Sequence, residues 1–279
     1  MQIRIGSQLT YRCPLPVPML LMLRVHPSQS ERLLAPDLLV SDPGLPTHTY
    51  IDTYGNRCLR LLAPAGVTRL RIDAVIEGGE RRDVVAPGAR QLPIEALPDD
   101  SLLFLVASRY CDTEALQAEA WRLFGQIAPG WQCVQAICGF VCGHIRFDYL
   151  RADPTRTASR TYQEREGVCR DFTHLAITLC RCMNIPARYC TGYLGDIGVP
   201  PVAAPMDFAA WMEVYLEGGW YTFDPRNHAS MPRLGRVLIG RGRDAADVAI
   251  ATTFGVAVLE DFQVWTDELP PAAATAVPR

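Results

Sequence analysis

Excess charge of one sign, long apolar runs and histidine are all in short supply in this 279-residue chain. The formal net charge is −3, which leaves no electrostatic footprint for nucleic acid or an anionic membrane surface. The apolar stretch Pro18-Met19-Leu20-Leu21-Met22-Leu23 is too short to span a membrane and lacks signal-peptide flanks. A reducing cytoplasm is therefore expected, with most of the ten cysteines acting as small buried hydrophobes. No internal repeat or low-complexity core is present. Gly240-Arg241-Gly242-Arg243 lacks the spacing and the lysine of a phosphate loop, and no cofactor is expected. Cys133, Cys138, Cys142 and His144 form no CxxC pair, so a core helix over 131–145 is expected there and no metal.

What is present describes two folded segments. Residues 2–11 alternate, 19–25 run apolar, 48–62 carry a Tyr54-Gly55-Asn56 turn, and Leu70, Ile72, Ala74 and Ile76 alternate again. That pattern predicts an N-terminal β-sandwich over 1–98, closed by a proline- and glycine-punctuated linker at 86–98. A core over 99–268 follows, with helical periodicity at 113–127 and 131–145. The tail over 269–279 is rich in proline and alanine and is expected to be disordered.

The chemistry gathers in the core. Gly167-Val168-Cys169-Arg170-Asp171-Phe172 opens a helix through about Met183, with Val168, Phe172, Leu175, Ala176, Leu179 and Met183 on one buried face. Cys169 then sits in the first turn, where unpaired N–H groups and the helix dipole favour thiolate. It is expected to be the most reactive thiol of the chain. Downstream, 207–216 and 219–225 read as a hairpin turning at Glu217-Gly218-Gly219. If Leu216 pairs with Gly219, positions 209 and 224 become diagonal neighbours on one face.

At these residues the chain resembles the transglutaminase-like superfamily, papain-like cysteine enzymes built on a G-x-C helix, then H-A-W on one strand and F-D-P on the next. The matching text is Gly167-Val168-Cys169, Ala209-Ala210-Trp211-Met212-Glu213-Val214-Tyr215-Leu216 and Phe223-Asp224-Pro225. The resemblance implies an α+β fold: a papain-like core, its cysteine helix packed on an antiparallel sheet, preceded by a bacterial-type sandwich domain. It also implies Cys169 as nucleophile and Asp224 as orienting acid. At the position of the family's catalytic histidine this sequence has Ala209.

An alanine cannot take the thiol proton or return it to a leaving amine. Of the five histidines, His228 in the loop after Asp224 is the candidate surrogate base, whereas His174 is expected to pair locally around Asp171 and Arg170. Trp211, Asp207 and Arg226 are candidate substrate contacts, an aromatic channel wall, a carboxylate for an amine and a guanidinium for a carboxylate, although a strand tryptophan also reads as core and Asp207 as ordinary turn chemistry. Arg233, Arg236, Arg241 and Arg243 make the following stretch rich in guanidinium groups, which also reads as a solvated loop balanced by Asp244 and Asp247. Two function classes follow. One is a cysteine-dependent amide hydrolase (peptidase, amidase or acyl transferase) working through a Cys169 thioester on a peptide or small amide. The other is a binding protein that keeps the cleft and has lost turnover. Neither nucleic acid nor a membrane is an expected partner.

Overall fold

A computed structural model describes residues 1–78, 83–201, 205–227 and 233–270. The first segment forms β1 (Gln2–Cys13), β2 (Val17–Leu21), β3 (Val40–Asp42), β4 (His48–Ile51), β5 (Arg57–Ala63) and β6 (Gly66–Glu77). Alternation drives their packing: Ile3, Ile5 and Leu9 of β1 and Leu70, Ile72 and Ile76 of β6 point into one core, and their intervening neighbours face out. Helices α1 (Asp99–Leu102), α2 (Thr113–Phe124) and α3 (Trp131–His144) follow. Next come β7 (Arg146–Phe147), α4 (Ala158–Glu164), β8 (Glu166–Gly167) and α5 (Cys169–Cys182). The chain ends in β9 (Ala187–Tyr193), β10 (Ala209–Leu216), β11 (Gly219–Phe223), β12 (Val237–Gly242), β13 (Ala251–Thr253) and β14 (Val258–Leu269). The fold is α+β, with α5 laid on an antiparallel sheet of order β11-β10-β9-β12.

The hairpin has the expected register, with Leu216 opposite Gly219 and Met212 opposite Phe223. Gly218 makes its turn at φ 98°, a conformation that side-chain-bearing residues rarely adopt.

Two expectations are corrected. Residues 251–268 belong to the expected core, yet β13 pairs with β2 and β14 pairs with β1 along nearly its whole length. The sandwich sheets, β14-β1-β6-β3 and β13-β2-β5-β4, thus take strands from both ends of the chain. Local periodicity marks β14 as a strand but says nothing about its partner, which is 250 residues away. Leu269 ends β14, so the disordered tail expected from 269 does not begin there, and 271–279 fall outside the described residues.

The second correction concerns the cysteine helix. A one-sided apolar face is expected, but α5 is buried all round from Asp171 to Cys182, enclosed by α2, α3, α4, β9 and β10. Several of its polar side chains are satisfied by backbone carbonyls. Thr173 and Thr178 donate to the carbonyls of Cys169 and His174 one turn back, at 2.9 and 2.8 Å. The Arg181 guanidinium donates to the carbonyls of Ala187, Val106 and Arg243. The expected linker is likewise strapped down: Trp131 N–H donates to Ala89 O, and the Gln91 amide donates to the carbonyls of Met183 and Asn184.

Candidate active-site cleft

Cys169 is the first residue of α5, and Val168 is its cap. Asp171 reaches back to accept the Val168 N–H at 2.9 Å, which fixes the entry of the chain and puts a carboxylate near the positive end of the helix. The Cys169 Sγ points toward the residue just before β10, Phe208, whose carbonyl lies 4.0 Å away. Burial pushes this thiol up to about 11. Arg226 and the N–H groups of Ala210 and Arg170 favour the ionised form, and Asp207 opposes it. Desolvation wins, so the expectation of a readily ionised thiol is corrected. Cys142 is the exposed cysteine of the chain, whereas Cys169 is half-buried at the cavity.

Ala209 opens β10, directly opposite Gly192 of β9, and lines the cavity beside Cys169. Asp224 lies just past the end of β11 with its side chain 4% exposed. Its carboxylate is fully engaged. One oxygen accepts the N–H groups of Arg226 and Asn227 at 3.1 and 2.9 Å; the other accepts the Asn227 amide at 2.9 Å and Arg236 Nη2 at 2.5 Å. Burial alone would raise this carboxyl, but Arg236 and Asn227 hold it below its ordinary value. Arg236 also pairs with Asp83, across from the N-terminal segment.

The cavity at Cys169 measures about 600 Å³, a size suited to a small-molecule or short-peptide ligand. Leu194, Met206, Phe208, Val248, Ile250 and Phe262 give it apolar walls, and Phe262 comes from β14 of the sandwich. Cys169, Ala209, Asp207 and Arg226 line it together. Asp207 is reached by solvent at the rim, yet the crowding wall strips enough hydration to push its carboxyl up. Its contact is a 2.6 Å bond from the Phe208 N–H. The Arg226 guanidinium lies 3.7 Å over the Phe147 ring.

Trp211 does not wall this cavity. It stands opposite Cys190 in the β9–β10 register and packs with Cys190 and Leu238, 2% exposed. It reaches instead a separate cavity of about 240 Å³ beside Arg236 and Glu213. His228 lies outside the described residues. His174 is 0% exposed: burial holds it neutral, and its Nε2 accepts the Ala245 N–H at 3.1 Å between the rings of Tyr110 and Tyr189. Its partners are thus Ala245, Tyr110 and Tyr189, not Asp171. The arginine-rich stretch is no solvated loop either. Val237–Gly242 is β12, and Arg233, Arg236, Arg241 and Arg243 pair with Asp196, Asp224, Glu213 and Asp247. Arg236 is the residue that sequence reasoning missed: no local signal marks which carboxylate a strand-edge arginine meets. Cys133 and Cys138 pack in the core, and among the described residues no cluster of His, Cys, Asp or Glu is arranged to hold a metal.

Residues 123–225 match the family described as the transglutaminase-like superfamily. A crystal structure described as "a putative cysteine protease from Cytophaga hutchinsonii" is 30% identical. It superposes with a TM-score of 0.82 over 97% of this chain and 91% of that one. An uncharacterized protein of Mycobacterium leprae is 38% identical over 85 residues, 30% of this chain and 30% of its own length. One from Mycobacterium tuberculosis (strain ATCC 25618 / H37Rv) is 36% identical over 92 residues, 30% of this chain and 29% of that protein. These matches span less than a third of either mycobacterial relative.

Proposed function

Since the chain belongs to the transglutaminase-like superfamily, we propose that its cleft binds a peptide or small amide beside Cys169 without running a Cys–His–Asp cycle. The observation that carries this reading is the filled shell of Asp224, whose two oxygens already accept four donors. In a working triad that carboxylate orients an imidazole and stabilises its charged form. Here Arg236 and Asn227 occupy it, and the position from which the family's imidazole reaches both groups is Ala209. A thiol held up to about 11 is overwhelmingly protonated at neutral pH and is a poor nucleophile. The apolar cavity, in contrast, keeps the size and shape to hold a ligand.

A second reading, cysteine-dependent amide hydrolysis or acyl transfer through a Cys169 thioester, is favoured by one observation. The thiol still opens α5 at the wall of the cavity, with N–H groups of Ala210 and Arg170 directed at it. Hydrolysis of activated esters and peptidyl anilides by the protein and by Cys169→Ser separates the two. Equal, background-level rates are expected. Turnover that disappears with Cys169 would replace the binding reading with the enzymatic one.

A further inference from the structure

Three arginines and three aspartates line the cavity, and most of their charge is already matched. Arg233 pairs with Asp196 at 3.0 Å, Arg170 contacts Asp171 at 3.5 Å, and Asp153 pairs with Arg160 at 2.7 Å. Two groups remain. Among the described residues, the Arg226 guanidinium has no carboxylate within ion-pair distance; its neighbour is the face of Phe147, which leaves its N–H edges unused. Among the same described residues the Asp207 carboxylate meets no cation, and its contact is the Phe208 N–H. The two do not pair with each other, although both stand close enough to the Cys169 sulphur to act on it with opposite sign.

Two opposite charges without protein partners at one cavity present complements that a ligand carrying both signs would satisfy.

We propose that the cleft takes a zwitterionic short amide, with a carboxylate on Arg226, an ammonium on Asp207 and its amide bond lying over Cys169. A planar guanidinium pressed on an aromatic face presents its N–H edge in the fork that a carboxylate fits. An ammonium entering beside Asp207 supplies the cation that this carboxyl lacks. A dipeptide with both ends free is the smallest molecule of this class. The assignment rests on the reading that this cleft binds amides, and it adds that free termini, more than side chains, are what the cleft reads.

The test uses the full chain and four probes: dialanine, its N-acetyl form, its C-terminal amide and the doubly capped form. Calorimetric titration gives affinity, and a crystal structure of the dialanine complex reports whether binding is in the cleft. Dialanine is expected to bind there, and each cap to weaken binding about tenfold or more, the size of one charge-assisted contact. Arg226→Gln should erase the penalty of the C-terminal amide alone, and Asp207→Asn that of the acetyl cap alone. If the doubly capped form binds as well as dialanine, or only one cap matters, the zwitterionic assignment is overturned and the amide-binding cleft stands. If no probe binds, both are overturned. The four probes on the unmodified protein decide the matter even if a variant fails to fold.

Discussion

Cys169 and Asp224 both present the fold with a buried ionisable group, and their surroundings treat it in opposite ways. Asp224 receives four donors, one of them a guanidinium, so its charge is kept despite burial. Cys169 has a carbonyl 4.0 Å away and an apolar wall, so its charge is suppressed. The acid has become part of the framework, tying the end of β11 to β12 and, through Arg236 and Asp83, to the N-terminal segment. The thiol is left facing a cavity with no group set to take its proton among the described residues. On the proposed reading, the cleft keeps its architecture while its two ends do not work as a unit.

The largest change should come from returning that imidazole. Ala209 lines the cavity, so Ala209→His has space to project beside Cys169. Cys169-dependent hydrolysis of an activated ester should rise by about 10²–10⁴, the range of a positioned acid–base group. A variant that folds normally and gains nothing would mean that Cys169 and position 209 no longer share productive geometry.

The next effect probes the framework end. Arg236→Ala should lose about 3–5 kcal/mol of stability in urea denaturation, since it strands a carboxylate whose side chain is 4% exposed. Asp224→Asn should lose less, because Arg236 keeps Asp83. A loss under about 1 kcal/mol for Arg236→Ala would show that the filled shell is not structural.

A smaller contrast lies in pH dependence. The folded Asp224 carboxyl sits below its unfolded value, so its contribution is present above the unfolded value and fades as pH falls through the folded one. The Cys169 thiol sits above its unfolded value, so its contribution is present at neutral pH and fades as pH rises toward about 11. Denaturation across both limits should show Asp224→Asn flattening the acid limb and Cys169→Ser removing part of the alkaline loss. Limbs unchanged by these substitutions would contradict the two shifts.

Much of this was legible in the chain. The hairpin register follows from alternation in 210–216 and a glycine turn, both local properties. The motif order 167–169, 209–211 and 223–225 marked where the cleft lies. Pairings between distant segments were not legible. Nothing near Val258–Leu269 names β1 as its partner, and nothing near Arg236 names Asp224. The thiol was misjudged for a physical reason: a helix start favours thiolate, but the dipole is worth less than the desolvation imposed by walls that arrive from β10 and β14. Trp211 takes the core reading of a strand tryptophan, a choice the sequence leaves open because a strand position gives the face of a side chain and not the direction in which a large ring leans.

The most direct test of an idle nucleophile is the ionisation of Cys169 itself, read from the pH dependence of its alkylation rate with Cys142→Ser to remove the exposed thiol. A midpoint at about 11 is expected, with negligible labelling at neutral pH. A midpoint below about 8, under the ordinary range of a free thiol, would show that some group activates Cys169, and would contradict the reading of the cleft as a binding site without turnover.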